Sequence, residues 1–508
     1  MKYILEMANN HMGSVEHGRE IIRSFADTVD FSAGDHFIKF QYRDLDTYID
    51  ASVKGNLDIH FVKRFESTRL SKSQFSELFD TAKEFGFKTA CTPFDAPSAV
   101  RVIEERYDLI KIASACIDDW DIHEAIADTL AYQQDYDPLI VFSTGGATLE
   151  QIDRLASFYT HRTSCHFCIL HCVAKYPYTA NESNLGFIDT LKKRYPFAEI
   201  GYSAHELPDE TDIGALAVMA GATVLEKHVG VDTDTIKNNQ YSILPKEFAA
   251  WQSHIVKALN ARGDGQFART QAELDTIHSL KRGAVVSKDI AAGSMISKDD
   301  VAYTFPREPG QLGPESFGIF TAGFVAKKDI CRGERIFDSA VEKMPNSQLD
   351  TNQKVAEFVH KAKGLLRAAG IHYDIALDDV EISHHEGLAN LPETGALLVT
   401  RINTERYSKK LVIQTPGQSH PVHLHPKKDE TFEVLYGEAT MFVEGQGEIH
   451  MVAGDIVRVP PKTRHSFRTK EGVVFEEVAT AAIPNDSLYD IDLDSSRKSR
   501  LRDYWKKF

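Results

Sequence analysis

The sequence predicts three folds in tandem: a TIM-type (β/α)₈ barrel, a small β domain and an all-β jelly roll. Three observations carry this. Short apolar segments alternate with helical patterns eight times before about residue 245. The segment Val286–Ile296 returns as Val325–Ile336, with Asp-Ile pairs 40 residues apart. Beyond about residue 352 the chain carries Gly417, His423-x-His425, Glu430 and Gly437, followed by Gly454–His465, at the spacings of two successive motifs. The expected boundaries are 1–262 for the barrel, 263–280 for a linker, 281–345 for the small domain, 346–351 for a second linker and 352–508 for the jelly roll. The length of 508 residues agrees, since about 150 residues make a domain.

The eight predicted strands are Tyr3–Ala8, Phe37–Gln41, Lys88–Phe94, Leu109–Ser114, Leu139–Thr144, Phe167–Ala174, Glu199–Ser203 and Thr223–His228. Helical spacing between them is plain in Val15, Ile21, Ile22, Phe25, Ala26 and Val29, and again in Leu149, Ile152, Leu155 and Phe158. Parallel strands need such crossovers. The net charge of −16 repels phosphate backbones and anionic lipid, so no nucleic acid or membrane is expected as partner and a small-molecule substrate is favoured. The apolar run in Met1–Asn10 is too short for a signal peptide and Gly214–Leu225 is too short to span a bilayer, which predicts a cytoplasmic protein. Six cysteines are too few for a disulfide framework. Cys165-x-x-Cys168 has no matching second pair and adjoins the apolar run Phe167–Val173, which reads as a buried strand.

Each apolar run ends in groups able to do chemistry: Glu6, Lys39 and Gln41, Thr92, Lys111 and Ser114, Ser143, Tyr176, Ser203 with His205, and His228. The C-terminal strand ends of a TIM barrel build its active site. Two lysines and four hydroxyls can hold a phosphate and a carboxylate, and no Gly-rich phosphate loop is present. His205 and His228 end strands seven and eight. Two imidazoles with no carboxylate nearby in sequence would leave a divalent metal with open positions for water and substrate oxygens.

These residues sit in Leu5-Glu6 with Asn10-His11-x-Gly13, Ile38–Gln41, Cys91–Asp95, Lys111–Ser114, Ser143–Ile152, Leu170–Cys172 with Tyr176-Pro177, Gly201–His205 and Glu226–His228. Over nearly all of residues 1–345 the chain resembles the sialic acid (N-acetylneuraminate) synthases, which condense phosphoenolpyruvate with an N-acylmannosamine and release phosphate. The resemblance implies that Lys39, Thr92, Lys111, Ser114, Ser143 and Ser203 bind phosphoenolpyruvate. It implies that His205 and His228 hold Mn²⁺ or a similar ion, and that Glu6, Gln41 and Tyr176 are catalytic. Four positions depart from the family pattern: Cys116 for a glutamate, Ala174 for Ser or Asn, Asn238 for an aspartate, and Arg307, displaced by one in Arg307–Leu312. Asn238 and Arg307 are thus the acceptor-binding candidates, and the lost polar contacts predict that N-acetylmannosamine is a poor acceptor.

The repeat resembles the antifreeze-like domain of the same synthases, which caps the partner subunit's barrel and so implies a domain-swapped homodimer. Further on, Gly417–Gly437 fits the first cupin motif, and Gly454–His465 fits the second except for Lys462 in place of its glycine; Thr469 replaces its asparagine. His423 and His425, two apart on one strand, share a face. With Glu430 and His465 they would form a three-histidine, one-carboxylate site for a second divalent metal (Mn, Fe, Ni, Co or Zn). His384-His385 lies outside the motifs and reads as a surface or packing pair, and the basic segment 495–508 as a solvated terminal helix. The expected activity is a phosphoenolpyruvate-dependent C–C bond-forming synthase making a 3-deoxy-2-keto sugar acid from an aldose, with the cupin acting as a sugar isomerase or epimerase. The alternatives are a non-catalytic sugar-binding cupin, or a barrel aldolase that does not use phosphoenolpyruvate.

Overall fold

Eight parallel strands close into a barrel in the computed structural model of the protein: β1 Lys2–Glu6, β2 Asp35–Tyr42, β3 Lys88–Pro93, β4 Leu109–Ile112, β5 Leu139–Ser143, β6 Phe167–Cys172, β7 Glu199–Ala204 and β8 Val224–His228. The structure describes residues 1–133, 135–265, 269–318, 323–344, 347–372, 380–480, 486–489 and 498–500. They fall into two compact units, Met1–Phe267 and Ala268–Phe508.

The barrel interior has two kinds of layer. Ile4, Phe37, Ala90, Leu109, Val141, Cys168, Leu170 and Val224 pack as one apolar cluster. Strand side chains alternate between faces, so the residue two places on enters the same interior nearer the C-terminal mouth. Those residues are Glu6, Lys39, Thr92, Lys111, Ser143, Cys172 and Glu226. An apolar plug therefore floors a polar ring. Cys168 belongs to this plug, as its strand position predicts. The other strand face packs under the helices, among them Val15–Ala26, capped by Ser14, and Leu149–Arg162, whose capping box joins Thr148 and Gln151.

Gly201 lies at the plug. A β-carbon there would stand 2.3 Å from the Val224 carbonyl oxygen and 2.4 Å from Leu170 Cδ2. Gly201→Ala is expected to destabilise the barrel by about 1–3 kcal/mol through overpacking; an unchanged thermal transition would refute this reading.

The second unit opens with a helix over Gln271–Ser279, inside the predicted linker 263–280, because Thr270 and Glu273 form a capping box. The repeat then folds with reciprocal contacts. Ile290 and Ile330 exchange N–H···O bonds at 2.9 Å each. Asp329 accepts from the Ala292 N–H while Asp289 accepts from that of Arg332, both at 2.7 Å. Ala284, Val286, Ile290, Ile296, Phe324, Ala326, Ile330 and Ile336 fill the core between the two copies.

The predicted linker 346–351 is not a linker where it is described: the helix Ser347–Ala368 begins there. Its Val355, Phe358, Val359, Ala362 and Leu366 recur at helical spacing and pack on the sheet residues Ile382, Leu397, Val399 and Ile413. Among the described residues eleven strands make that sheet, and Glu430–Val443, the longest, pairs antiparallel with four others. Lys498–Arg500 is a strand on Val380–Ser383 and not part of a terminal helix, since that edge offers unpaired backbone groups. Residues 495–497 and 501–508 lie outside the described residues. Among the described residues no helix is long and apolar enough to cross a membrane.

Candidate active site and metal centre

At the barrel mouth the polar ring is built around two carboxylates. Lys39 Nζ stands 2.5 Å from Glu6 and 2.9 Å from Glu226. Glu226 also accepts from Ser203 Oγ at 2.9 Å and lies 3.6 Å from Lys111 Nζ, which donates to Ser143 Oγ at 2.7 Å. Thr92 Oγ1 is buried without a partner, and Ser114 Oγ accepts from the Gly145 N–H at 3.1 Å. The six predicted anion-binding residues thus share this ring and its rim. Burial opposes charge on Lys39, but Glu226 and Glu6 outweigh it and hold the lysine above its usual range. Burial lowers Lys111 and raises Glu6, whereas Lys111 and Lys39 together overcome burial at Glu226 and keep it ionised.

Beside the ring, the His205 and His228 rings lie 5.3 Å apart, and Tyr176 packs on His205 at 4.1 Å. His205 Nδ1 is 3.2 Å from the Val173 carbonyl. A carbonyl only accepts, so Nδ1 carries the proton and Nε2 keeps its lone pair. Burial lowers His205 to about 4 and puts His228 well below its usual value, so both are neutral at pH 7. Two neutral imidazoles, one oriented by a backbone carbonyl, fit a divalent ion. The expectation of no carboxylate near this pair fails: Glu226, two residues before His228, shares its strand face and its field acts on both histidines.

The acceptor candidates lie one in each unit. Asn238 lies in the loop after β8 with its N–H on Asp232 at 2.8 Å and its Nδ2 buried without a partner. Arg307, in the second unit, donates from Nε to the Gln311 carbonyl at 2.7 Å and pairs with Glu315. Cys116 and Ala174 offer the mouth no replacement for the expected carboxylate and amide.

In the second unit one ligand atom each from His423, His425 and His465 lies within 4.8 Å of the others. His423 and His465 face each other in register on paired strands. Glu430 Oε2 is 3.2 Å from His465 Nε2, and its Oε1 is 3.4 Å from His425 Nε2. Burial keeps His423 and His425 neutral. Burial also opposes charge on Glu430, yet the bond to His465 and the Lys428 ammonium outweigh it and hold the carboxyl at about 2. Three imidazoles and an ionised carboxylate, with His465 Nε2 and Glu430 Oε2 buried and finding no partner but each other, fit a divalent ion. His384 and His385 are buried, not on the surface. His385 Nε2 lies 3.0 Å from His420 Nε2, within ring-packing distance of His423 through His420.

Residues 28–267 match the NeuB family. A crystal structure of a Chromobacterium violaceum protein, assigned as spore coat polysaccharide biosynthesis protein E, is 39% identical and superposes with a TM-score of 0.63 over 67% of this chain and 99% of that one. This chain belongs to the NeuB family. The family likeness extends to the pseudaminic acid synthase of Campylobacter jejuni serotype O:2, 28% identical over 350 residues, 66% of this chain and 94% of that one. Residues 410–476 match the cupin domain. The D-lyxose ketol-isomerase of Cohnella laeviribosi is 31% identical over 160 residues, 26% of this NeuB-family chain and 84% of the isomerase.

Sequence reasoning missed three buried groups at these sites. Glu226 holds the barrel lysines, and its signal was its place two residues before His228 on an alternating strand. In the cupin, Lys428 pairs with Glu430 at 2.5 Å and also with Glu477. Lys428 lies in the loop just before Glu430, whereas Glu477 arrives from a strand far along the chain.

Proposed function

We propose that the barrel joins phosphoenolpyruvate to an aldose, giving a 3-deoxy-2-keto sugar acid and inorganic phosphate, and that the cupin interconverts ketose and aldose forms of a sugar. The observation that carries the barrel reading is the pair of lysines sharing one carboxylate, Glu226, in a buried ring over an apolar plug. A phosphate- and carboxylate-bearing donor takes over the contacts that Lys39, Lys111 and Ser203 give Glu226, while Thr92 Oγ1 supplies a donor that now has no acceptor. In the reaction C3 of phosphoenolpyruvate bonds to the aldehyde carbon, water adds at C2, and the C2–O bond to phosphate breaks. The lysines position the donor and offset its charge. To Glu6, buried beside Lys39, we assign proton transfer at the aldehyde oxygen as it becomes a hydroxyl. A divalent ion such as Mn²⁺, when bound by His205 and His228, supplies Lewis acidity for the carbonyl.

The full-length protein with Mn²⁺ is expected to release phosphate from phosphoenolpyruvate only when an aldose is added, and His205→Ala to lose that release. Acceptor-independent release, or full turnover by the variant, would overturn the assignment. With Cys116 and Ala174 at the mouth, mannose or a shorter aldose is expected to exceed N-acetylmannosamine in kcat/KM. A homodimer, with each repeat domain over the partner's barrel, completes this reading; an active enzyme that sediments as a monomer would exclude it.

The cupin reading rests on the four-ligand cluster and on the likeness to a ketol-isomerase over most of that enzyme's length. Isomerisation moves a proton between adjacent carbons, so a ketose incubated in ²H₂O should take up deuterium at the carbon beside its carbonyl. A binding-only cupin would leave the sugar unlabelled.

A further inference from the structure

Next to the reaction centre lies a cleft of about 360 Å³, a size suited to a small ligand. Gln41 lines it, together with Arg43, Arg69 and Arg101, and none of the predicted phosphoenolpyruvate residues does. Two of the three arginines are matched: Arg69 pairs with Asp46 at 2.6 Å and Arg101 with Glu105 at 2.7 Å. Arg43 is not. Its guanidinium lies 3.6 Å from the Phe94 ring centre and 4.2 Å from that of Phe65. Nη1 donates to Gln41 Oε1 at 3.1 Å, and Nε is buried without a partner. No carboxylate among the described residues forms an ion pair with it. Asp44, which also lines the cleft, accepts from Thr47.

A guanidinium stays charged at any physiological pH, and a charge removed from water without a counter-charge is costly unless a ligand supplies one. The Phe94 and Phe65 rings fix the plane of the fork, Gln41 and Tyr48 take bonds from it, and Nε is left without an acceptor. We propose that Arg43 is the acceptor-specificity residue and that the aldose carries an anionic group, a phosphate or a carboxylate, which Arg43 engages through its fork. This rests on the barrel reading above and deepens it. Gln41, which Arg43 holds, borders the reaction centre. An aldose whose carbonyl meets that centre can therefore reach the cleft with its far end.

The test separates this proposal from the barrel reading by measuring binding and turnover independently. Calorimetry of the full-length protein should give mannose 6-phosphate or mannuronate at least tenfold tighter binding than mannose. Arg43→Met should weaken the favoured ligand by about 10²-fold while changing mannose by less than about threefold, and Arg43→Lys should lose only part of the gain. The stronger of the two anions names the group. Equal or tighter binding of neutral mannose, or binding of both anions that survives in Arg43→Met, overturns the proposal whatever the turnover shows. Absence of condensation with every sugar, alongside Arg43-dependent anion binding, overturns the synthase reading alone. The KM for phosphoenolpyruvate should be unchanged in Arg43→Met; a rise in that KM equal to the acceptor effect would place Arg43 on the donor and sink the assignment.

Discussion

Lys111→Met is expected to lower kcat/KM for phosphoenolpyruvate by about 10²–10³-fold without lowering thermal stability. The lysine lies buried on β4, its Nζ on Ser143 Oγ and 3.6 Å from Glu226. Burial depresses its pKa, and the nearby carboxylate only partly restores it. A lysine with a folded pKa below its unfolded value binds its proton more weakly when folded. The charge therefore costs stability, in full below the folded pKa, and the cost disappears as pH rises past the unfolded one. Methionine removes that cost and fills similar space, while Glu226 keeps Lys39 and Ser203. Burial lowers Lys227 too, yet it gives the opposite signature because of its partner, although it follows Glu226 directly. It points to the other face and pairs with buried Glu206 at 2.9 Å, the one cation on that carboxylate among the described residues. Lys227→Met strands Glu206 and should cost about 3–5 kcal/mol. Thermal unfolding of both variants beside steady-state kinetics decides: a Lys111→Met enzyme that keeps its kcat/KM, or loses it only in proportion to stability, would make Lys111 a structural residue.

The contrast between these two lysines marks how much of the site could be read from the sequence. Alternation on a strand is local, so the inward ring of Glu6, Lys39, Thr92, Lys111 and Ser143 was legible from runs of four to eight residues. The same rule reaches Glu226, which alternates inward with His228 just as Lys39 does with Gln41. Arg43 was not legible because what makes it unusual is the company of Phe65 and Phe94 and the lack of an acidic partner, which only the folded chain defines. Motif spacing named His423, His425, Glu430 and His465, which the fold brings together, and was blind to the pairing of Lys428 with Glu477, which joins a loop to a distant strand. For the same reason Lys498–Arg500 read as a solvated helix: its strand state depends on an edge at Val380–Ser383 supplied more than a hundred residues earlier. The helix Ser347–Ala368 is a different case: its first residues fall in the predicted linker 346–351 and the rest in the predicted jelly roll, where its regular apolar spacing stands out as helical.

His465→Ala is expected to remove one of two divalent ions from the full-length protein and to abolish deuterium uptake by a ketose, while phosphoenolpyruvate condensation with a supplied aldose continues within about twofold. The two sites share no ligand, because His205 and His228 belong to the first compact unit and the cupin histidines to the second. His465 sits at the centre of its cluster, its ring 4.1 Å from that of His423, with Glu430 Oε2 3.2 Å from its Nε2. Removing it takes away one imidazole donor and also a bond that keeps Glu430 ionised. Lys428 then remains the nearest cation and satisfies the carboxylate in place of a metal. Loss of a group that merely orients a ligand lowers metal affinity about 10–100-fold, and loss of a ligand itself should exceed that. Metal analysis after gel filtration, with the two activities measured on the same preparation, tests both halves. If the variant kept two ions, His465 would not be a ligand. If condensation of a supplied aldose fell together with deuterium uptake, the two chemistries would not be separable and the division of labour between barrel and cupin would be wrong.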